Sequence, residues 1–195
     1  MSQKEINQEN SMEMDSQSMI KSAVNSSPPE KIHLRPMTLS DIDDFMVWAT
    51  DSNVTRFCTW EPYTSRESAI AFINDVVLPH PWLRAICLDN DRPIGSISVT
   101  PVDKIRGEIG YVIGSKYWGK GIATEAVRLV AEEIFKEKPE MERLEALVDV
   151  DNVGSQKVLE KVGFVKEGVM RNFMYLKGNI RDMVMFSLLP SDSLH

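Results

Sequence analysis

Cysteine is scarce in this chain, which has only Cys58 and Cys87 among its 195 residues. Neither is part of a CxxC pair or of a spaced Cys/His set, so the sequence predicts no metal site. Small buried thiols are common in proteins of reducing compartments. We therefore expect two buried free thiols.

Long apolar runs are also missing. No stretch approaches the roughly 18 consecutive apolar residues of a membrane-spanning helix. The first residues lack the apolar core of a signal peptide, and Ser2 stands where N-myristoylation requires glycine. The sequence thus predicts a soluble protein that does not bind membranes and that resides in the cytoplasm, or in both cytoplasm and nucleus.

Basic residues are outnumbered, since 22 Lys and Arg stand against 29 Asp and Glu, for a net charge of −7. Proteins that bind nucleic acids or anionic membranes over a broad surface carry the opposite balance. We therefore expect neither partner. The length of the chain suits one ordinary domain with a buried core.

Three segments differ in composition. Residues 1–29 are rich in Ser, Gln, Asn, Glu and Met, have no apolar period, and end in Pro28-Pro29. This composition predicts a disordered leader. Residues 30–190 carry the periodic pattern of a folded domain, and residues 191–195 form a short C-terminal tail.

Apolar periodicity over residues 31–189 predicts elements in the order β-α-α-β-β-β-α-β-α-β-β. Ser40 is the predicted cap of the first helix, and Thr64 with Glu67 forms a predicted capping box for the second. The predicted strands span 31–36, 82–88, 93–99, 105–113, 143–150, 164–175 and 180–189, and the predicted helices span 41–50, 68–77, 122–137 and 152–162. With one clear βαβ unit, the fold class is α+β with a mixed, largely antiparallel sheet.

The most informative segment is residues 105–124, IRGEIGYVIGSKYWGKGIAT. An apolar strand ends at Gly114, a glycine-rich turn follows, and a helix begins at Ile122. The N–H groups of such a turn, together with the helix dipole, bind phosphate. The spacing from Gly114 to Lys120 also matches the start of a P-loop, which makes a nucleotide-binding protein a distant alternative. Gly121 opposes it, because a P-loop has a hydroxyl there.

A second motif, NVGSQKVLEKVGF at residues 152–164, follows the strand 143–150. Together the two motifs resemble the GNAT (GCN-five-related) N-acetyltransferase superfamily, specifically its RimJ/RimL-like branch. The cofactor loop of that family aligns with 118–123, and its element N-x-x-S-x-x-V-x-x-K-x-G-F aligns from Asn152 to Phe164. The resemblance covers about 31–189. It implies a single GNAT-like domain of six to seven strands and about four helices, with a splayed central strand pair.

The resemblance implies acetyl-CoA as cosubstrate and no metal. The pyrophosphate would bind the turn and the helix start, and the pantetheine arm would pair with a strand that a bulge near Gly110 or Gly114 splays. The residues implied in binding are Tyr111, Val112, Ile113, Trp118, Gly119, Lys120, Gly121, Ile122, Ala123, Thr124, Asn152 and Ser155. Two departures stand out. Trp118 replaces the Arg or Gln of many members, and Leu159 replaces the tyrosine that often protonates the thiolate.

Two side chains are candidates for the acetyl-transfer chemistry. Ser155 would lie near the sulfur, where its hydroxyl can hydrogen-bond the thiolate or relay a proton through water. Its alternative is a structural role in the first helical turn. Glu108 is the candidate general base for the amine, and the alternatives are a water molecule as base and a solvated strand glutamate.

By family analogy, the loop 57–63 would cover an acceptor cleft that the last hairpin borders. The candidate acceptor residues are Trp60, Glu61, Tyr63, Tyr175 and Asp182. The implied acceptor is a primary amine, either a protein N-terminus or a small amine, and the protein would act as a monomer or a homodimer. The alternative is a non-catalytic CoA-binding or scaffold module on the same fold. The absent tyrosine permits that alternative, whereas the intact Asn/Ser motif opposes it.

Overall fold

The computed structural model describes residues 31–195. The predicted leader, residues 1–29, lies outside these described residues. Between residues 31 and 195, no helix combines the length and the apolar character that crossing a membrane requires.

Seven strands and five α-helices make up the described part of the chain. The strands are β1 (Ile32–Pro36), β2 (Leu83–Leu88), β3 (Pro93–Pro101), β4 (Arg106–Ile113), β5 (Arg143–Asp149), β6 (Val165–Leu176) and β7 (Asn179–Leu188). The helices are α1 (Ile42–Ala49), α2 (Ser52–Thr55), α3 (Arg66–Phe72), α4 (Ile122–Glu137) and α5 (Val153–Val162). The predicted element order is confirmed. The short α2 is an additional helix, and α3 continues into a π-helical turn.

The predicted cap of the first helix is wrong. A 3₁₀ turn, Leu39–Asp41, precedes α1, and Thr38 rather than Ser40 has the extended backbone of a cap. The Thr38 N–H donates to the Asp41 carboxylate at 2.8 Å. The Ser40 hydroxyl bonds the Thr38 hydroxyl instead of a helix N–H.

The predicted capping box of the second helix is also wrong, by one residue. Ser65, not Thr64, is the cap of α3, and its hydroxyl accepts from the Ser68 N–H at 3.1 Å. Two hydroxyl residues follow one another here, and the sequence does not show which of them takes the extended backbone that a cap needs.

The strands form one sheet in the order β1-β2-β3-β4-β5-β7-β6. Every neighbouring pair is antiparallel except β4 and β5. Their parallel pairing covers only Arg106–Glu108 against Arg143–Glu145. Beyond Glu108 the two strands separate, so the splayed central pair is confirmed. The opening between residues 109–113 of β4 and 146–149 of β5 is called the β4–β5 gap below.

The predicted bulge in β4 is wrong. β4 keeps one uninterrupted register with β3, from Gly107 opposite Pro101 to Ile113 opposite Gly95. β5 keeps an equally regular register with β7 from Leu144 to Asp149, so it continues beside β7 past the point where its pairing with β4 ends.

Helices cover both faces of the sheet and bury two apolar clusters. α4 and α5 pack on one face, where they cover residues such as Ile86 and Ile97. α1 and α3 pack on the other face, over Ala85 and Cys87. Neighbouring residues of β2 thus serve opposite layers, as the two-residue period of a strand requires.

Candidate functional site

Backbone groups at the end of β4 face the gap. The Gly114 N–H donates to the Ile94 carbonyl of β3 at 2.9 Å. Successive residues of an antiparallel ladder alternate between pairing with the neighbour and pointing away from it. The N–H and C=O groups of Tyr111 and Ile113 therefore point toward the gap, whereas those of Val112 pair with β3. Of these three predicted binding residues, Val112 offers no backbone group to a ligand in the gap.

Arg181 of β7 fixes the far wall of the gap. Its guanidinium donates to both carboxylate oxygens of the buried Asp149, at 2.6 and 2.7 Å, and to Asp151 at 2.6 Å. Burial alone would raise the pKa of Asp149, but the hydrogen bonds from Arg181 and the Asp151 N–H, together with the nearby positive charge of Arg181, lower that pKa. Asp149 ends β5 and Asp151 follows it, so this network joins the end of β5 to β7.

The Tyr111 side chain connects β4 to α5. Its hydroxyl donates to the Ser155 carbonyl at 3.2 Å. Burial raises the pKa of Tyr111 to about 12, so the phenol is a protonated donor at neutral pH. This hydrogen bond brings together two predicted site residues that are 44 positions apart in the sequence.

The turn after β4 enters α4 through two glycines in the left-handed region. Gly119 has φ 76° and Gly121 has φ 80°, values that other residues adopt at a cost. Gly121 is the N-cap of α4 and makes no side-chain cap bond. The N–H groups of Ile122, Ala123 and Thr124 therefore have neither an intrahelical partner nor a side-chain cap. Such a helix start binds anions.

Aromatic and basic side chains surround this turn. The ammonium groups of Lys116 and Lys120 lie 4.9 and 5.5 Å from the ring centroid of Tyr117. Both place positive charge beside the turn. The Trp118 indole N–H donates to the Ile113 carbonyl at 2.8 Å. This hydrogen bond already satisfies one of the backbone groups that face the gap.

α5 begins at a side-chain cap. Asn152 Oδ1 accepts from the Ser155 N–H at 3.2 Å, so the predicted cap is confirmed. Within residues 31–195, the Asn152 amide nitrogen and the Ser155 hydroxyl have no hydrogen-bond partner. Leu159 is fully buried in the core. The position of the absent tyrosine therefore supplies no polar group to the site.

Glu108 stands where β4 and β5 part. It lies opposite Glu145 in the last parallel pair and is half-buried. In the described part of the chain its carboxylate has no hydrogen bond or ion pair, whereas the buried Glu145 accepts from Arg143 Nε at 2.8 Å. Burial, and then the charge of Glu145, raise the pKa of Glu108. A carboxylate with a raised pKa suits proton transfer.

Lys177 joins two parts of the predicted acceptor region. It occupies the turn between β6 and β7, donates to the Thr55 carbonyl at 2.9 Å, and lies 3.3 Å from Glu61 Oε2. Trp60 and Tyr63 pack together beside Glu61, with ring centroids 5.6 Å apart. The loop 57–63 and the last hairpin are therefore neighbours.

The remaining acceptor candidates have different surroundings. Tyr63 packs edge-on against Phe45 at 5.5 Å, and burial raises its pKa. Tyr175 is 73% exposed. Asp182 of β7 accepts from the Asn172 N–H at 2.7 Å, within the segment of β6 where the register with β7 is irregular. Asp182 thus has a structural partner, while Tyr175 is accessible.

Comparison with known proteins identifies the family. Residues 31–165 match a family model described as "Acetyltransferase (GNAT) domain". The chain belongs to the GNAT acetyltransferase family. It is therefore an acetyltransferase on a fold that uses acetyl-CoA. The P-loop alternative is wrong, and the sheet of residues 31–195 agrees, since its single parallel pair is β4 with β5.

Relatives match nearly the whole GNAT domain. A Bacillus licheniformis protein named "Uncharacterized N-acetyltransferase p20" is 36% identical over 170 residues, which cover 84% of this chain and 95% of the relative. The GNAT family acetyltransferase from Bacillus anthracis superposes with a TM-score of 0.75 at 23% identity, covering 83% of this chain and 96% of the other. Spermidine N-acetyltransferase from Vibrio cholerae, in complex with CoA and spermine, has a TM-score of 0.71 at 19% identity, with coverages of 82% and 96%. The two structures share the fold.

Sequence reasoning missed two residues that shape the site, Arg181 and Lys177. Their partners lie 32 and 122 positions away, so only the sheet order brings them together. One weak signal exists for Arg181, because Asp149 is a charged residue at the end of an otherwise apolar strand. The hydroxyl of Tyr111 was likewise missed, since only its backbone was assigned to the cofactor.

Proposed function

We propose that this protein transfers an acetyl group from acetyl-CoA directly to a primary amine, in one domain that spans residues 30–190. The observation that carries the proposal is the arrangement along β4. The uncapped start of α4 stands at the open end of the gap. The carboxylate of Glu108, to which no residue of 31–195 hydrogen-bonds, stands where the gap closes. An anion-binding site and a proton acceptor thus lie at opposite ends of one strand.

Acetyl-CoA supplies the acetyl group as a thioester. In this proposal the N–H groups of residues 119–124 hold its pyrophosphate. The backbone of Tyr111 and the N–H of Ile113, whose carbonyl already accepts from Trp118, pair with its amide-bearing arm. The Asn152 amide nitrogen donates to a carbonyl of that arm. The donor set fits a phosphate, because the acidic residue of the first turn, Glu125, is neutralised by Arg128 at 2.6 Å.

The proposed chemistry assigns a role to each remaining group. Glu108 accepts a proton from the amine, directly or through water, as the nitrogen attacks the thioester carbonyl. The Ser155 hydroxyl donates a hydrogen bond to the departing sulfur, and Tyr111 holds the turn that carries Ser155. No covalent acyl-enzyme is needed. The thiol of Cys58 is a poor nucleophile, since burial raises its pKa to about 11.

The acceptor proposed is an amine that enters beneath the loop 57–63, past Trp60 and Glu61. The exposed Tyr175 offers an aromatic surface to a cation, and Glu61 offers an accessible carboxylate that Lys177 neutralises in part. A spermidine acetyltransferase shares the fold, which supports a small amine. The RimJ/RimL-like motif supports a protein N-terminus. This branch assignment stays a prediction.

An acceptor screen tests the function. Thiol release from acetyl-CoA should appear with free amines, which include spermidine, spermine and short peptides with an unblocked N-terminus. It should be absent with the same peptides after N-terminal acetylation. CoA binding without thiol release from any amine would instead indicate the non-catalytic CoA-binding module.

Replacement of the base gives a sharper test. Glu108→Gln should lower kcat by about 10²-fold to 10⁴-fold. In the wild type, activity should fall as the pH drops through the raised pKa of Glu108. The pH profile of the variant should lack this fall at acid pH. A raised pKa also means that ionised Glu108 opposes folding above that pKa. The variant should therefore unfold at an equal or higher temperature at neutral pH.

Glu145→Gln is the matched control. It removes the negative charge beside Glu108 while leaving an oxygen to accept from Arg143. The fall in activity at acid pH should then occur at a lower pH, and kcat at neutral pH should be largely retained. Equal losses of kcat in both variants would show that the combined negative charge of Glu108 and Glu145 supports the reaction, and not a general base at position 108.

A further inference from the structure

Three potential metal ligands converge at the opposite edge of the sheet from β6. His33 of β1 lies directly opposite Cys87 of β2 in the antiparallel register, so their side chains share one face. Asp91 lies in the turn between β2 and β3, and its Oδ1 is 2.9 Å from His33 Nε2. One ligating atom from each of the three residues lies within 4.8 Å of the other two.

We propose that His33, Cys87 and Asp91 form a binding site for a transition-metal ion of the zinc type, separate from the acetyltransferase site. Thiolate, imidazole and carboxylate are the side chains that bind zinc in proteins. β1 stands three positions from β4 in the sheet. A bound metal ion would therefore join β1, β2 and the turn after β2, and it would not take part in acetyl transfer.

The geometry needs only small movements. A tetrahedral zinc ion with bonds of about 2.0–2.3 Å places its ligand atoms roughly 3.3–3.6 Å apart. The observed 2.9 Å between His33 Nε2 and Asp91 Oδ1 must widen slightly. The distances from the Cys87 sulfur to the other two ligand atoms are at most 4.8 Å, so they must shorten by at most about 1.2 Å to reach the tetrahedral range. His33 and Asp91 are solvent-accessible, with side chains 45% and 64% exposed. Water can therefore fill the fourth position from the open side.

The charges around the site permit a divalent cation. Arg35 donates to Asp91 Oδ1 at 2.7 Å, while no hydrogen bond is made to Asp91 Oδ2 by the described residues. Arg35 also bonds both carboxylate oxygens of Asp41 at 2.8 Å. Arg92 is paired with Asp44. Zinc with one thiolate, one carboxylate and a neutral imidazole carries no net charge, so Arg35 would face a neutral centre.

Binding changes the protons of two ligands. The Cys87 thiol loses its proton to solvent as the S–metal bond forms. The imidazole proton moves from Nε2, where it is now donated to Asp91, to Nδ1, and the metal takes its place. No oxidation or reduction is involved.

Cobalt(II) is the probe, because it takes zinc sites and reports thiolate ligation by absorption. The full chain, kept reduced, is titrated with Co²⁺ and then with Zn²⁺. We expect one equivalent of Co²⁺ to give a thiolate-to-metal charge-transfer band and tetrahedral visible bands, which Zn²⁺ abolishes. Cys87→Ser should remove the charge-transfer band, whereas Cys58→Ser, which alters the other free cysteine, should retain it.

A surface variant provides a second test, because Cys87 is fully buried and its replacement can unfold the protein. His33→Ala changes a half-exposed side chain, and its Co²⁺ affinity should fall at least tenfold. Zn²⁺ should raise the unfolding temperature of the wild type but not of His33→Ala. Absence of a charge-transfer band in the wild type, or its loss in Cys58→Ser instead of Cys87→Ser, would overturn the proposal.

Discussion

Two helices begin beside the β4–β5 gap, and they begin differently. α4 starts at Gly121, which has a left-handed backbone and no side chain to cap the helix. α5 starts at Asn152, whose side chain accepts from the Ser155 N–H. The first N–H groups of α4 are therefore available to an external partner, whereas the Ser155 N–H of α5 is bound by the side chain of Asn152.

This difference separates two kinds of binding group. A helix start without a cap costs stability and is retained where an anion supplies the missing acceptor. A capped start is rigid without a ligand, so the groups that the cap does not use, here the Asn152 amide nitrogen and the Ser155 hydroxyl, are held in place. The start of α4 thus presents a partial positive charge to an anion, while α5 holds the Asn152 amide nitrogen and the Ser155 hydroxyl as fixed hydrogen-bond donors.

The largest expected effect comes from giving α4 a charged cap. Gly121→Asp would place a carboxylate where the proposal puts pyrophosphate, and it would occupy the free N–H groups itself. Loss of about two charge-assisted hydrogen bonds, at roughly 1.5 kcal/mol each, weakens CoA binding by about 100-fold. Isothermal titration with CoA measures this change.

Gly121→Asn is the control for that variant. Asparagine has nearly the same size and tolerates positive φ about as well as aspartate, but it has no charge. Its CoA affinity should fall by less than about tenfold. If the two variants lose affinity equally, backbone strain or occupation of the N–H groups by the new side chain, rather than charge, explains the loss.

A smaller effect is expected when the cap of α5 is removed. Asn152→Ala should lower the free energy of unfolding by about 1 kcal/mol and weaken CoA binding by about tenfold through loss of one amide donor. Chemical denaturation and isothermal titration measure the two losses separately.

Asn152→Ser distinguishes the cap from the donor, because serine caps helices as well as asparagine but has no amide. Stability should return in this variant while CoA affinity stays low. Recovery of both would mean that Asn152 acts through the helix alone.

The smallest effect concerns the link between β4 and α5. Tyr111→Phe removes the hydrogen bond to the Ser155 carbonyl and should cost about 1 kcal/mol of stability. Because the pKa of Tyr111 is raised to about 12, the cost should be equal at about pH 6 and about pH 9. Urea unfolding at both pH values measures it. A cost that appears only at the lower pH would contradict a phenol that stays protonated.

The parts of this site that the sequence predicts are local. The turn 114–121, the start of α4 and the Asn152 cap each depend on residues a few positions apart, so glycine placement and capping chemistry identify them. The order of helices and strands along the chain followed from periodicity in the same way. The two misplaced caps, at Ser40 and Thr64, show the limit of local reasoning where several candidates adjoin.

The parts that the sequence does not predict depend on register. Nothing within β4 itself distinguishes Val112, whose backbone pairs with β3, from Tyr111 and Ile113, whose backbones face the gap. The far wall of the gap also depends on a distant contact, because Arg181 of β7 binds Asp149 of β5. The predicted β4 bulge was wrong for the same kind of reason, since the uninterrupted register of β4 with β3 is a property of the strand pair and not of β4 alone.

The most direct test of the account compares two ligands on two proteins. CoA and pantetheine share the arm and the thiol, but only CoA carries the pyrophosphate. Both are titrated into the wild type and into Gly121→Asp. The account predicts that the substitution weakens CoA binding by about 100-fold and leaves pantetheine binding nearly unchanged. An equal loss for both ligands, or no loss for CoA, would contradict the assignment of the α4 start as the pyrophosphate site.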